Sequence, residues 1–268
     1  MSLLDDETPE VRERVAGRIA DVATGDLSEW LASSEVSLAA ADEALLSDML
    51  GPSRRDTLWR EWVVPSGGRA ALAEDWERME ALLRALSDFL HDGVTLRQPL
   101  SDAIDLLAEE ADNANCGTEE ELVEFLFADG RFKGNRRAYH DPRNADLAWV
   151  IATGKSNPIG LSLLLLLVAR RLDFDVEGVN FPGHFLCRIH RDGEPWIVDC
   201  FDKGKLHRQS ELLAGSSELT RQQKRLLDAT ADPGAILHRL LNNLIVALHR
   251  DERVEDSALV RELRETLL

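Results

Sequence analysis

Asn157-Pro-Ile-Gly-Leu-Ser-Leu-Leu-Leu-Leu-Leu-Val-Ala-Arg-Arg-Leu172 is the stretch on which the fold turns. Asparagine is a favoured helix cap, and proline fits the first helical position, where its missing N–H would have no intrahelical partner. The residues from Ile159 to Leu172 are almost wholly apolar. A helix that is apolar all round has no face for water and must be central. Its leucine run, Leu163 to Leu167, is too short to span a bilayer and ends at Arg170 and Arg171, so no membrane partner is expected.

Downstream the period changes to that of strands. Val176 to Asn180, Phe185 to Ile189 and Trp196 to Phe201 are short runs rich in β-branched and aromatic residues, and His190-Arg-Asp-Gly193 is a hairpin-type turn. A buried helix followed by antiparallel strands predicts an α+β fold. The tail returns to helix at Asp232-Pro233, with Ile236, Leu240, Leu244 and Leu248 on one stripe.

Upstream, the first third reads as helical. Thr8-Pro9 opens a helix carrying Val11, Val15, Ile19 and Val22, and Gly51-Pro52 and Pro65-Ser-Gly-Gly68 are read as breaks framing short segments. Trp76, Met79, Leu83, Leu86 and Leu90 form a second stripe, and Ile104 and Leu107 face inward on a helix after Pro99. Thr118 caps a helix entering Leu122, Phe125 and Leu126; the loop Gly130-Arg-Phe-Lys-Gly-Asn135 follows, then a helix over Asp146 to Ile151.

The chain of 268 residues carries a formal charge of −18, which argues against a nucleic-acid partner because phosphate neutralisation needs clustered bases. Only five lysines occur, and an acid-rich, lysine-poor chain suits high salt, so a halophilic source is one expectation. The amino-terminal residues carry acid where a signal peptide needs base. Cys116, Cys187 and Cys200 show no CxxC and no metal-ligand spacing to histidine. We therefore expect a reducing cytoplasmic location, no metal and no cofactor.

Three elements stand in the order a papain-like site needs: a helix start at Asn157-Pro158, His184 in Phe181-Pro-Gly-His-Phe185, and Asp199 in Trp196-Ile-Val-Asp199. In such a site a nucleophile at a helix N-terminus gives its proton to a histidine whose tautomer an acid fixes. An acid flanked by Val198 and Phe201 needs a partner in any case, and His184 or Arg188 could supply it.

The residues then resemble a family. Phe132-Lys-Gly-Asn135 with Tyr139-His-Asp-Pro-Arg-Asn144, then Asn157-Pro-Ile-Gly-Leu161, then Gly178-Val-Asn-Phe-Pro-Gly-His-Phe185, then Val198-Asp199 with Phe201 and Gly204, are similar to successive blocks of the SirB family. The resemblance covers about residues 118 to 206 and continues faintly through Ile236-Leu-His-Arg-Leu-Leu-Asn-Asn243. It implies a transglutaminase-like, cysteine-protease-type core at residues 112–210, between a helical region at 1–111 and a helical extension at 211–268. It also implies that His184 and Asp199 are the triad histidine and aspartate, and that the cysteine of active relatives belongs near Pro158 or Ile159. This chain has none there. Gly160 stands where serine is common in the family, and Cys200 where proline is usual.

The leading expectation is a pseudoenzyme that binds a protein partner, an acidic peptide or a carboxylate ligand. Its pocket is bounded by Asn157, Ile159, His184 and Asp199, with Gly160 among the binding residues. Backbone amides from Ile159 and Gly160 onward are expected to be open there, with binding stronger as His184 gains a proton. The pairs Asn135/Tyr139 and Asp141/Asn144 are expected to tie down a loop that could roof the groove. The rival expectation is an active amidase, cysteine protease or acyl-transferase using Cys116 or Cys200 with His184 as base. A third is a helical scaffold for protein contacts.

Overall fold

In a computed structural model of the chain, residues 38–215 and 219–268 are described continuously, with scattered positions between 8 and 33. The helix expected over Thr8 to Val22 falls mostly outside the described residues. From Ala40 the order is α1 (Ala40–Glu61), α2 (Gly68–Ala71), α3 (Trp76–Leu90), α4 (Leu100–Asn113), α5 (Glu119–Phe127), β1 (Lys133–Gly134), a 3-10 turn (Pro142–Ala145), α6 (Leu147–Thr153), β2 (Lys155–Ser156) and α7 (Pro158–Arg171). Then come β3 (Glu177–Val179), β4 (Leu186–Arg191), β5 (Glu194–Asp199), a 3-10 turn (Cys200–Asp202), β6 (Lys205–Arg208), α8 (Gln209–Gly215), α9 (Arg221–Asp228), α10 (Pro233–Arg250) and α11 (Val254–Glu265).

The helix α7 is the axis. Asn157 accepts a hydrogen bond from the Gly160 amide, Pro158 takes the first position, and every residue from Pro158 to Ala169 is buried. Each fully buried leucine is worth roughly 1.5–3 kcal/mol, so this helix dominates the core. Its far end is pinned by Arg171, which bonds Glu80 at 2.5 Å through two nitrogens and Asp105 at 2.9 Å, tying α7 to α3 and α4. Against α7 lies an antiparallel sheet in the order β3-β4-β5-β6, with Cys187 opposite Val198. Asp192 and Gly193 both have positive φ, as the tight hairpin between β4 and β5 requires. One hydrophobic cluster runs from Leu58 through α7 to Leu267. The fold is α+β.

One expected break is corrected. Gly51-Pro52 does not end an element, since α1 runs through it with Leu46, Leu50 and Leu58 buried on either side. Proline removes one helical bond. Arg54 also donates to the Ser47 carbonyl at 3.0 Å. The short strand β6 and the parallel pair β1-β2 were not foreseen. Among the described residues, no helix is long and apolar enough to cross a membrane.

Candidate functional site

Asp199 is the last residue of β5, and its side chain caps the 3-10 turn that follows. Oδ1 accepts from the amides of Phe201 and Asp202, each at 3.0 Å. The same oxygen meets Nε2 of His184 at 2.8 Å. His184 lies in the turn just before β4, where its amide bonds the Phe181 carbonyl at 3.3 Å. The side chains remain 31% and 22% exposed, so the pair opens to solvent.

Burial pushes the Asp199 carboxyl up, but the hydrogen bond and charge of His184, with the amides of Asp202 and Phe201, outweigh it and hold the group below its ordinary value. An ionised carboxylate only accepts, so it fixes the His184 proton on Nε2 and leaves Nδ1 as the ring nitrogen without a partner among the described residues. Arg188, the other partner considered for Asp199, belongs elsewhere. It is 5% exposed and bonds Glu177 at 2.6 Å, Thr230 at 2.8 Å, and the carbonyls of Leu227 and Asp228 at 3.1 Å.

Phe201 connects the pair to the loop that precedes α6. Its ring lies edge-on to His184 and to Tyr139, at 5.9 Å from each, and Arg136 sits over it at 5.0 Å. Gly134 makes this possible, because a Cβ there would come within 2.6 Å of the ring. The expected Asp141/Asn144 pair is joined, the Asn144 amide donating to the Asp141 carbonyl at 3.0 Å, while Asn135 pairs with Asn144 rather than with Tyr139. Asn135 donates to the Asn144 side chain at 3.0 Å, and Asn144 donates to the carbonyls of Ala138 and Tyr139 at 2.9 and 3.0 Å. Asp141 caps the 3-10 turn through the Arg143 amide. Asn135 and Asn144 are buried and spend these groups on the scaffold.

The start of α7 closes on this scaffold. Ser156 Oγ donates to the Asn144 carbonyl at 2.7 Å, and a Cβ at Gly160 would lie 2.1 Å from that Oγ and 2.6 Å from that carbonyl. A serine at 160 has no room. The expectation that the Gly160 amide stands open is corrected too: it donates to Asn157 Oδ1 at 3.1 Å, so the cap consumes it. Ile159 and Phe185 are each 1% exposed and Asn157 7%, which leaves His184, Asp199 and Tyr139 as the accessible part of the expected site.

None of the three thiols hydrogen-bonds to His184 among the described residues. Cys200 is fully buried, and burial with the neighbouring Cys187 pushes its thiol well up. Cys116 lies against the Glu121 carbonyl at 3.7 Å, and burial with the Glu121 charge raises it as well. Two contributors escaped the sequence reading. Phe201 was quoted only as a neighbour of Asp199, and Arg239 lay inside the faint Ile236–Asn243 block; it donates to Asn180 Oδ1 and, at 2.6 Å, to the Phe181 carbonyl of the His184 turn.

A histidine-aspartate pair at the end of an antiparallel sheet that packs on a buried central helix is the frame of a transglutaminase-like protein. The model of the transglutaminase-like superfamily matches residues 94–242, more than half of the chain. A UPF0162 protein of Vibrio cholerae is 30% identical over 193 residues, covering 67% of this chain and 70% of that one. One from Xylella fastidiosa is 36% identical over 127 residues, 45% of each chain. Mouse F-box only protein 21 is 32% identical over 142 residues, 49% of this chain and 22% of its own length. This chain spans just under half of the Xylella relative. It belongs to the transglutaminase-like superfamily and, within it, to the SirB-type UPF0162 family. No solved structure matches it at a significant level.

Proposed function

We propose that this chain is a cytoplasmic binding module on a transglutaminase-like frame, which presents His184 to a carboxylate-bearing ligand such as an acidic peptide end and performs no acyl transfer. The observation that carries the reading is a His184–Asp199 pair kept assembled and part-exposed, in a chain whose central helix begins Pro158, Ile159 and Gly160 with no nucleophile among them. None of those three side chains can attack a carbonyl, and burial pushes the Cys116 and Cys200 thiols up rather than activating them. The pair retains what recognition needs, since a protonated ring held at Nε2 by Asp199 offers its Nδ1–H to a carboxylate, without what turnover needs. Three free cysteines fit a reducing compartment.

The test is an NMR titration of the His184 ring with a simple carboxylate, such as acetate, in the wild type and in Asp199→Asn. Saturable shifts of Nδ1 that weaken in the variant support the reading. An unmoved His184 in the wild type would move the search for function to the amino-terminal helices, and hydrolysis of a peptide or amide substrate lost in His184→Ala would restore the enzyme reading with Cys116 or Cys200 as nucleophile.

A further inference from the structure

Arg239, on α10, reaches the turn that carries His184. Its Nη1 donates to Asn180 Oδ1 and to the Phe181 carbonyl at 2.6 Å, the same carbonyl that accepts the His184 amide. Its guanidinium carbon lies 5.5 Å from the Phe185 ring centre, over the ring face. Both Nη1 partners are neutral. Neither Nε nor Nη2 has a hydrogen-bond partner among the described residues, and neither is a sealed buried atom. No carboxylate lies within salt-bridge distance of Arg239 among the described residues, in a chain with 49 acidic side chains and a charge of −18.

Arg171, Arg97 and Arg188 meet carboxylates, whereas Arg239, like Arg54 and Arg264, bonds only neutral oxygens among the described residues. Burial lowers the Arg239 pKa, and the nearby Tyr139 ring borders Phe201. Pinning one nitrogen and stacking the plane fixes the rotamer. What remains is the Nε–Nη2 edge, two parallel donors spaced to match the two oxygens of a carboxylate.

We infer that the Nε–Nη2 edge of Arg239 is the anion anchor of the His184 site and binds one carboxylate in a bidentate manner. The inference rests on, and narrows, the carboxylate reading given above. A free main-chain carboxylate is the class that fits, being planar and singly charged. A phosphate dianion would call for more donors than this two-donor edge supplies.

The full chain is titrated with N-acetylalanine, with its primary amide, and with inorganic phosphate, following the Arg239 Nε–H resonance and the His184 ring. The acid should move both and the amide neither. Arg239→Lys, which keeps the charge but not the fork, should weaken binding roughly tenfold or more, and Arg239→Gln should abolish it. Wild-type affinity in folded Arg239→Gln overturns the inference, as does equal binding of the amide, or phosphate binding with the acid silent. Shifts at Arg239 without any at His184 keep the anchor and remove the binding role given to His184. Shifts at His184 that persist in Arg239→Gln do the reverse, and silence at both removes both. If Arg239→Gln does not fold, the acid and amide pair read at Arg239 in the wild type decides alone.

Discussion

Nε2 of His184 stands 2.8 Å from Oδ1 of Asp199, and that same oxygen caps the amides of Phe201 and Asp202. One carboxylate thus orients the ring and starts the turn that puts Phe201 beside it. Removing it should harm both. Asp199→Ala is expected to cost about 1–2 kcal/mol from the lost cap alone, measured by urea unfolding, with Asp199→Asn milder because an amide oxygen can still accept. Equal stability of the wild type and Asp199→Ala would contradict the capping role.

Gly160 packs against Ser156 and the Asn144 carbonyl. Gly160→Ala should destabilise by about 1–3 kcal/mol through overpacking. Ser156→Gly should recover part of that loss in the double variant, because it removes the nearest atoms. Strictly additive effects would show that the clash is relieved elsewhere.

Arg188 joins β4 to Glu177 of β3 and to the end of α9. Arg188→Met leaves Glu177 and two carbonyls short of a donor in a buried place. A loss of roughly 3–5 kcal/mol is expected, seen as a shifted urea midpoint. A change under about 1 kcal/mol would mean that water replaces the guanidinium.

Stability should fall with acid in two stages. His91 and His238 are lowered below 6.5, chiefly by burial, so the unfolded chain binds their protons more readily than the folded one. Their contribution is present above pH 6.5 and declines as pH falls below it. Asp199, Asp92 and Asp141 are held below 3.8 and Glu177 below 4.5 by hydrogen bonds and charges that outweigh burial. Their contribution is full above those values and is lost as pH drops through the lowered folded ones. Thermal melts from pH 8 to pH 3 check this, and His91→Gln should flatten the upper stage. A midpoint unchanged between pH 7 and pH 5 would exclude the histidine contribution.

What could be read beforehand was local. The cap and proline at 157 and 158, the apolar run behind them, and the Asp192-Gly193 turn each announce themselves within a few residues, and the SirB-type blocks aligned His184 with Asp199. What escaped was set by packing. Pro52 reads as a break because its lost bond is visible in the sequence, while the burial of Leu46, Leu50 and Leu58 that holds α1 against the core is not. The Gly160 amide was counted as open although Asn157 had been read as a cap, and one amide cannot serve both uses. Arg239 is brought to Phe181 from 58 residues away, a separation that no periodicity reveals.

If the His184–Asp199 pair serves no nucleophile, as proposed, the thiols of the folded chain should react as ordinary buried or raised thiols. Iodoacetamide labelling at neutral pH, with each cysteine followed by mass spectrometry in the wild type and in His184→Ala, is the measurement. The expected result is slow labelling of Cys116 and Cys200, unaltered by the substitution. Rapid labelling of either one that His184→Ala abolishes would contradict the account and identify an enzyme.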